Sequence, residues 1–161
     1  MGLTPQDAAH LFTLRANLEA LAAELAAERQ ALGRLAPVEV DALDRAADRV
    51  QAAVEAHDAR ASAQANLALH RAIAAAAVNP FLEDALNRVW DRIAVTTVAN
   101  LDDPHWACAI TDQHRAIIAG IRAGDPKAAR EAAKFHIEAA ARAYRPLNAE
   151  ATADGSSPLG P

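Results

Sequence analysis

Residues 4–33 read TPQDAAHLFTLRANLEALAAELAAERQALG, and this stretch decides between helix and strand for the chain. Thr4 offers a cap, Pro5 suits a first turn, and Asp7 places an acid at the N-terminal end of a helix. Leu11, Leu14, Leu18, Leu21 and Leu25 then recur at alternating spacings of three and four, the period of one helical face, and Gly33 marks the stop. The reading is a long amphipathic helix that faces the core along its leucine stripe.

The same punctuation repeats downstream. Pro37 opens a second helix, with Val40, Leu43, Val50 and Val54 forming an apolar stripe among Asp41, Asp44, Arg45, Asp48 and Arg49. A break at His57-Asp58 leads to a third, from about Arg60 to Ala77, and Asn79-Pro80 starts a fourth on Leu82, Leu86, Val89 and Ile93 that runs to about Asn100. Asp102-Asp103-Pro104 opens a fifth helix through Ile121, and Gly124 closes it. Asp125-Pro126 then caps a sixth helix that reaches about Tyr144. With no strand-like alternation, the predicted fold is all-α, an antiparallel bundle of six to seven helices. The helical domain spans 4–146 and a flexible tail 147–161, whose Gly-, Ser- and Pro-rich end from Ala151 to Pro161 reads as disordered.

Composition supports this. The 161 residues suffice for one ordinary domain with a real core. Alanine supplies about a quarter of them and aromatics only 4%, a balance suited to closely packed helices. A net charge of −5 and a pI near 5.6 lack the basic footprint that phosphate contacts require, so the chain is not expected to grip DNA by itself. The lone cysteine, Cys108, excludes an internal disulfide framework. No segment reads as a membrane span or a signal peptide, so the expectation is a cytoplasmic protein.

Three of the six histidines stand apart when each helix is wound at about 100° per residue. His70 sits among Leu67, Ile73, Ala74 and Ala77, with Asn66 one turn back. His114 sits among Ile110, Ile117, Ile118 and Ile121, and His136 falls on a stripe of small alanines. A buried imidazole needs a partner, and three from three helices ask for a shared one. A divalent metal would serve, with Asn66 adding a carboxamide oxygen. Each histidine read singly is better explained as a core residue bonded to a carbonyl. His10, His57 and His105 fall at helix ends or polar positions and read as solvated surface.

Arg15 lies about 80° from the leucine stripe, so its guanidinium borders the core, where it could hold a carboxylate in bidentate fashion. The alternative is an intrahelical pair with Glu19 four residues on. Arg92 holds a similar flank position in the fourth helix, with surface pairing as its alternative. Catalytic signals are weak: Cys108 has no evident base, no serine lies in an elbow motif, and no Gly-rich loop could cradle phosphate.

Taken in order, Leu14-Arg15-Ala16-Asn17-Leu18-Glu19, Leu69-His70-Arg71-Ala72-Ile73, Asn79-Pro80-Phe81-Leu82, His114-Arg115-Ala116-Ile117-Ile118, Gly124-Asp125-Pro126 and Phe135-His136 resemble the FCD domain of FadR-subfamily GntR regulators. The resemblance covers about Leu11 to Ala143. It implies a helical bundle that binds small organic acids and is usually joined to an N-terminal winged helix that binds DNA. It further implies a metal, zinc or alternatively Ni or Mn, held at positions that correspond to Asn66, His70, His114 and His136. Arg15 would meet the effector carboxylate and the protein would be a homodimer; Arg92, on its flank position and not on the resemblance, is a further candidate ligand-binding residue.

Two features depart from the family pattern. Asn66 stands where the family commonly has Asp, which removes one negative charge and weakens the ligand set. No winged helix precedes the first long helix, as in an excised domain or a naturally shorter protein, so DNA would be reached only through a domain absent from this chain. The expected function is effector sensing for a transcription regulator, not enzymatic. The rivals are a stand-alone metal-dependent binding protein or hydrolase, and a structural helical module.

Overall fold

Five of the six helices begin where a side chain takes up a free backbone N–H. In α1 (Pro5–Ala31) the Thr4 hydroxyl accepts from the Asp7 N–H at 3.1 Å and the Asp7 carboxylate accepts from the Thr4 N–H, a reciprocal cap. The Glu39 carboxylate does the same for the Ala36 N–H ahead of α2 (Pro37–Glu55). Asp58 caps α3 (Ala59–Ala76) at Ala61, Asn79 caps α4 (Pro80–Leu101) at Leu82, and Asp125 caps α6 (Pro126–Ala153) at Ala128. α5 (Pro104–Ala123) ends at Gly124, whose φ of 63° closes the helix as only glycine does without strain.

This computed structural model describes residues 4–101 and 104–153, with side chains for 4–94 and 105–144. The fold is all-α, six helices with no strand among the described residues. The boundaries follow the sequence reading closely except at the end: α6 continues to Ala153, beyond Tyr144 and through part of the segment expected to be a tail. Asp102 and Asp103, expected to open α5, lie outside the described residues, as do 154–161.

α1 is the central helix, packed against α3, α4, α5 and α6. Its buried face differs from the one the leucine periodicity selects. Ala8, Phe12, Ala16, Ala20, Ala23, Ala26 and Ala27 turn to the core, whereas Leu14 is 48% exposed. Leu18, Leu21 and Leu25 instead pad a second apolar cluster formed by Leu82, Leu86 and Trp90 of α4 with Ala22, Ala74 and Ala77. The physical reason is close approach: a helix surrounded by four neighbours needs small side chains where backbones come nearest. The bulkier leucines fill the wider gap toward α4.

The largest fully buried side chains include Leu43 and Val50 of α2, Leu69 of α3, Ile110, Ile117, Ile118 and Ile121 of α5, and Ile137 of α6. Across the outer side, Arg122 pairs with Asp44 and Arg115 with Asp48, joining α5 to the acidic stripe of α2. Being half-exposed, these pairs add little stability.

α5 and α6 meet most closely at Gly120, where an added Cβ would lie 2.7 Å from the Ala129 backbone nitrogen and 2.8 Å from its Cα. Backbone cannot step aside as a flexible side chain can. Gly120→Ala is therefore expected to lower stability by about 1–3 kcal/mol despite alanine's better helix propensity. Urea denaturation checks this, and an unchanged or raised midpoint would contradict the tight contact.

Candidate metal centre

His70 of α3, His114 of α5 and His136 of α6 are brought together at one point in the interior, at 3%, 1% and 2% exposure. One ligand atom from each can be chosen so that all three lie within 4.8 Å of one another. Ring centroids are 5.4 Å apart for His70–His114, 5.2 Å for His70–His136 and 4.6 Å for His114–His136. Trp106 stacks on His136 at 5.9 Å and walls the cluster on that side. His10, His57 and His105 are exposed, as their positions imply.

The outward nitrogens of two rings are committed. His70 Nδ1 lies 2.5 Å from Glu19 Oε2; an ionised carboxylate only accepts, so Nδ1 carries a proton and Nε2 is the nitrogen turned toward the other two rings. His136 Nδ1 is 2.8 Å from Gln113 Oε1, and donation to that oxygen leaves Nε2 with a lone pair. The two Nε2 atoms then face each other across 3.4 Å. Two ring nitrogens at that distance need a proton or a cation between them. At His114 neither ring nitrogen has a hydrogen bond among the described residues, although both are fully buried. Buried polar atoms are rarely left so, and the whole set fits a dication that would accept one nitrogen from each ring.

Electrostatics agree. Burial lowers the pKa of His114 and His136 well below 6.5, and the charges of neighbouring histidines and Arg15 lower them further. Both rings are thus neutral, the form that ligates metals. For Glu19 burial alone would raise the pKa. The charges of Arg15 and His70 and the hydrogen bonds they make outweigh it and hold the carboxyl well below its ordinary range.

Glu19 is the organising group that the sequence reading treated only as a partner for Arg15. Its carboxylate is buried, accepts from Arg15 Nε at 2.7 Å and from the Trp90 indole N–H at 2.8 Å, and orients His70 through the other oxygen. A carboxylate bonded to a histidine in this way sets the ring's orientation and, where the ring ligates a metal, raises its basicity. Gln113, next to His114 in sequence, plays the matching part for His136. Glu19's helical spacing from Arg15 was visible; its contacts with α3 and α4 were not.

Arg15 makes the helical pair with Glu19 and also lines a cavity of about 240 Å³ between α1, α3 and α4. The inner wall is buried and includes Arg15, Asn66, Trp90 and Ile93. Asn66 is 6% exposed, one turn before His70, so the cavity and the histidine cluster share a wall. Arg60 and Gln64 stand exposed at the mouth. Arg92 is not brought to this cavity: it is exposed and lies beside Asp7, His10, Leu11 and Leu14 in a separate recess against the start of α1. No helix among the described residues is long and apolar enough to cross a membrane.

Residues 10–139 match the sequence profile of the FCD domain. No curated protein sequence matches the chain. Among solved structures, E. coli McbR/YncC superposes with a TM-score of 0.78 over 88% of this chain and 69% of its own, at 18% identity, a likeness of fold.

Proposed function

Because the chain belongs to the FCD domain family, we propose that it is the effector-sensing domain of a GntR/FadR-type transcription regulator, holding a divalent metal and a small organic acid. The observation that carries the metal is the approach of two Nε2 atoms to 3.4 Å beside an imidazole whose two buried nitrogens have no hydrogen-bond partner among the described residues. His70, His114 and His136 would hold the ion, with Asn66 as a fourth, oxygen ligand. Zinc suits a set of three imidazoles best, nickel or manganese less so. When bound, the ion supplies a fixed positive charge and an open position for an anionic oxygen.

Glu19 offsets the charge of Arg15, so the uncompensated charge on the buried side of the cavity would be the ion's own. Three neutral rings and an amide leave a dication its full formal +2, which favours a carboxylate as effector. The site reads as a sensor and not as an enzyme, since Glu19, the carboxylate bonded to His70, is committed to three donors and is not free to move protons. Homodimer formation, and coupling of the effector to DNA through an attached winged helix, complete the proposal.

The test is calorimetric titration of Zn²⁺ into metal-stripped, tag-free protein, followed by carboxylates into the loaded form. The expected result is one high-affinity equivalent that His114→Ala weakens by at least about 100-fold, more than loss of an outer-shell partner costs. Wild-type protein that takes up no zinc, nickel or manganese would leave the domain a metal-free sensor.

A further inference from the structure

We propose that the ligand of the cavity is a short dicarboxylate whose second carboxylate is read by Arg60 at the mouth. The proposal rests on the effector reading above and narrows it to one class of ligand.

α3 presents Arg60, Ala63, Gln64 and Leu67 to the cavity at i, i+3, i+4 and i+7, one face of the helix. At the inner end stand the Arg15 guanidinium and the Asn66 amide, both buried. Of Arg15's donors only Nε is hydrogen-bonded among the described residues, to Glu19, so its two terminal nitrogens are left for a ligand. Apart from Gln64, the rest of the described lining is mainly apolar, with Ala63, Leu67, Ile93 and the Trp90 ring. At the outer end is Arg60, with no ion pair or hydrogen bond among the described residues and no acidic residue among those that line the cavity with it.

Two guanidiniums with free donors on one largely apolar cavity complement a molecule that carries two carboxylates. Arg15 is neutralised by Glu19, whereas Arg60 is not, so a ligand with a single carboxylate would leave the mouth cation unanswered. Size sets the length. A cavity of 240 Å³ holds about eight water-sized groups, which is the bulk of a four- or five-carbon dicarboxylate. A long acyl chain or a nucleotide exceeds it. The bidentate fork of a guanidinium also suits a planar carboxylate better than a neutral amide or hydroxyl would.

The experiment is calorimetry on zinc-loaded protein with succinate, glutarate, butyrate and the monomethyl ester of succinate, for wild type and Arg60→Gln. The dicarboxylates are expected to bind about tenfold more tightly than butyrate or the half-ester, as fits one added charge-assisted contact at a solvent-exposed arginine. Arg60→Gln should erase that preference while leaving butyrate binding unchanged. Because the outer contact is exposed, the preference should also shrink as salt is raised. Arg60 is surface-exposed, so its replacement does not threaten folding. Equal affinity for butyrate and succinate, or a preference that survives Arg60→Gln, would overturn the assignment of Arg60 while leaving the effector reading intact. No heat with any of the four acids on protein shown to hold zinc would overturn both.

Discussion

Replacing Glu19 by alanine is expected to cost about 3–5 kcal/mol of folding stability, the usual penalty for stranding one charge of a buried pair. The Arg15 guanidinium, at 4% exposure, would lose its counter-ion, and the Trp90 N–H and His70 Nδ1–H their acceptor. For a domain whose total stability is about 5–15 kcal/mol, that is a large share. Glu19→Gln should fall between wild type and alanine, because an amide keeps the shape but offers one oxygen where the carboxylate uses two. Pairing Glu19→Ala with Arg15→Met separates the causes: the double variant removes both charges and should recover part of the loss. The readouts are urea denaturation of each variant and zinc affinity of those that fold, the latter expected to drop about 10–100-fold on losing a carboxylate that orients a ligand. A loss below about 1 kcal/mol would mean that water reaches the pair and that the carboxylate does not organise the site.

Acidifying the metal-stripped protein below pH 6.5 is expected to destabilise it steeply. The sign follows from His114 and His136, whose folded-state pKa values lie well below 6.5, the reverse of a histidine that gains an acidic partner. Above that pH both states carry neutral rings and stability is flat with respect to them. Below it the unfolded chain takes up protons that the folded chain refuses, so stability falls as pH falls. Each histidine contributes up to about 1.4 kcal/mol per pH unit, hence up to about 2.7 for the two. Glu19 works in the same direction lower down: its depressed pKa contributes stability that is present above 4.5 and is lost as pH falls below it. Urea midpoints measured at about pH 7.5, 6.5 and 5.5 in the presence of a chelator should therefore be level across the first interval and drop across the second. Level midpoints throughout would show that the histidines are not buried in neutral form.

Helical periodicity locates an inward side chain where a helix has one apolar face and fails where it has two. His70, His114 and His136 were found because each lies mid-face on a helix of aliphatic neighbours, and that face is the inner one in α3, α5 and α6 alike. For α1 the same rule selected the wrong centre. Both its leucine and its alanine faces are apolar, and which one turns inward depends on how near α3, α5 and α6 approach, a quantity absent from α1 itself. Glu19 was lost for the same reason. Its helical spacing from Arg15 suggests an ordinary surface pair, while its bond to Trp90 spans 71 residues of sequence. Arg92 shared a flank position with Arg15 on paper, yet only Arg15 faces the cavity.

The sequence by itself determined the local structure and the donor set: the proline and acid caps, the glycine stop after α5, six helices, and three imidazoles facing inward. These follow from backbone sterics and a fixed 100° step, which act within a few residues. Only the tertiary structure decided that the three rings meet within 4.8 Å, that Glu19 binds Arg15, Trp90 and His70 at once, and that Arg60 stands unanswered at the mouth of the cavity. Those outcomes depend on how separate helices pack, and packing is settled by the shapes and charges of residues distant in sequence, which no single helix encodes.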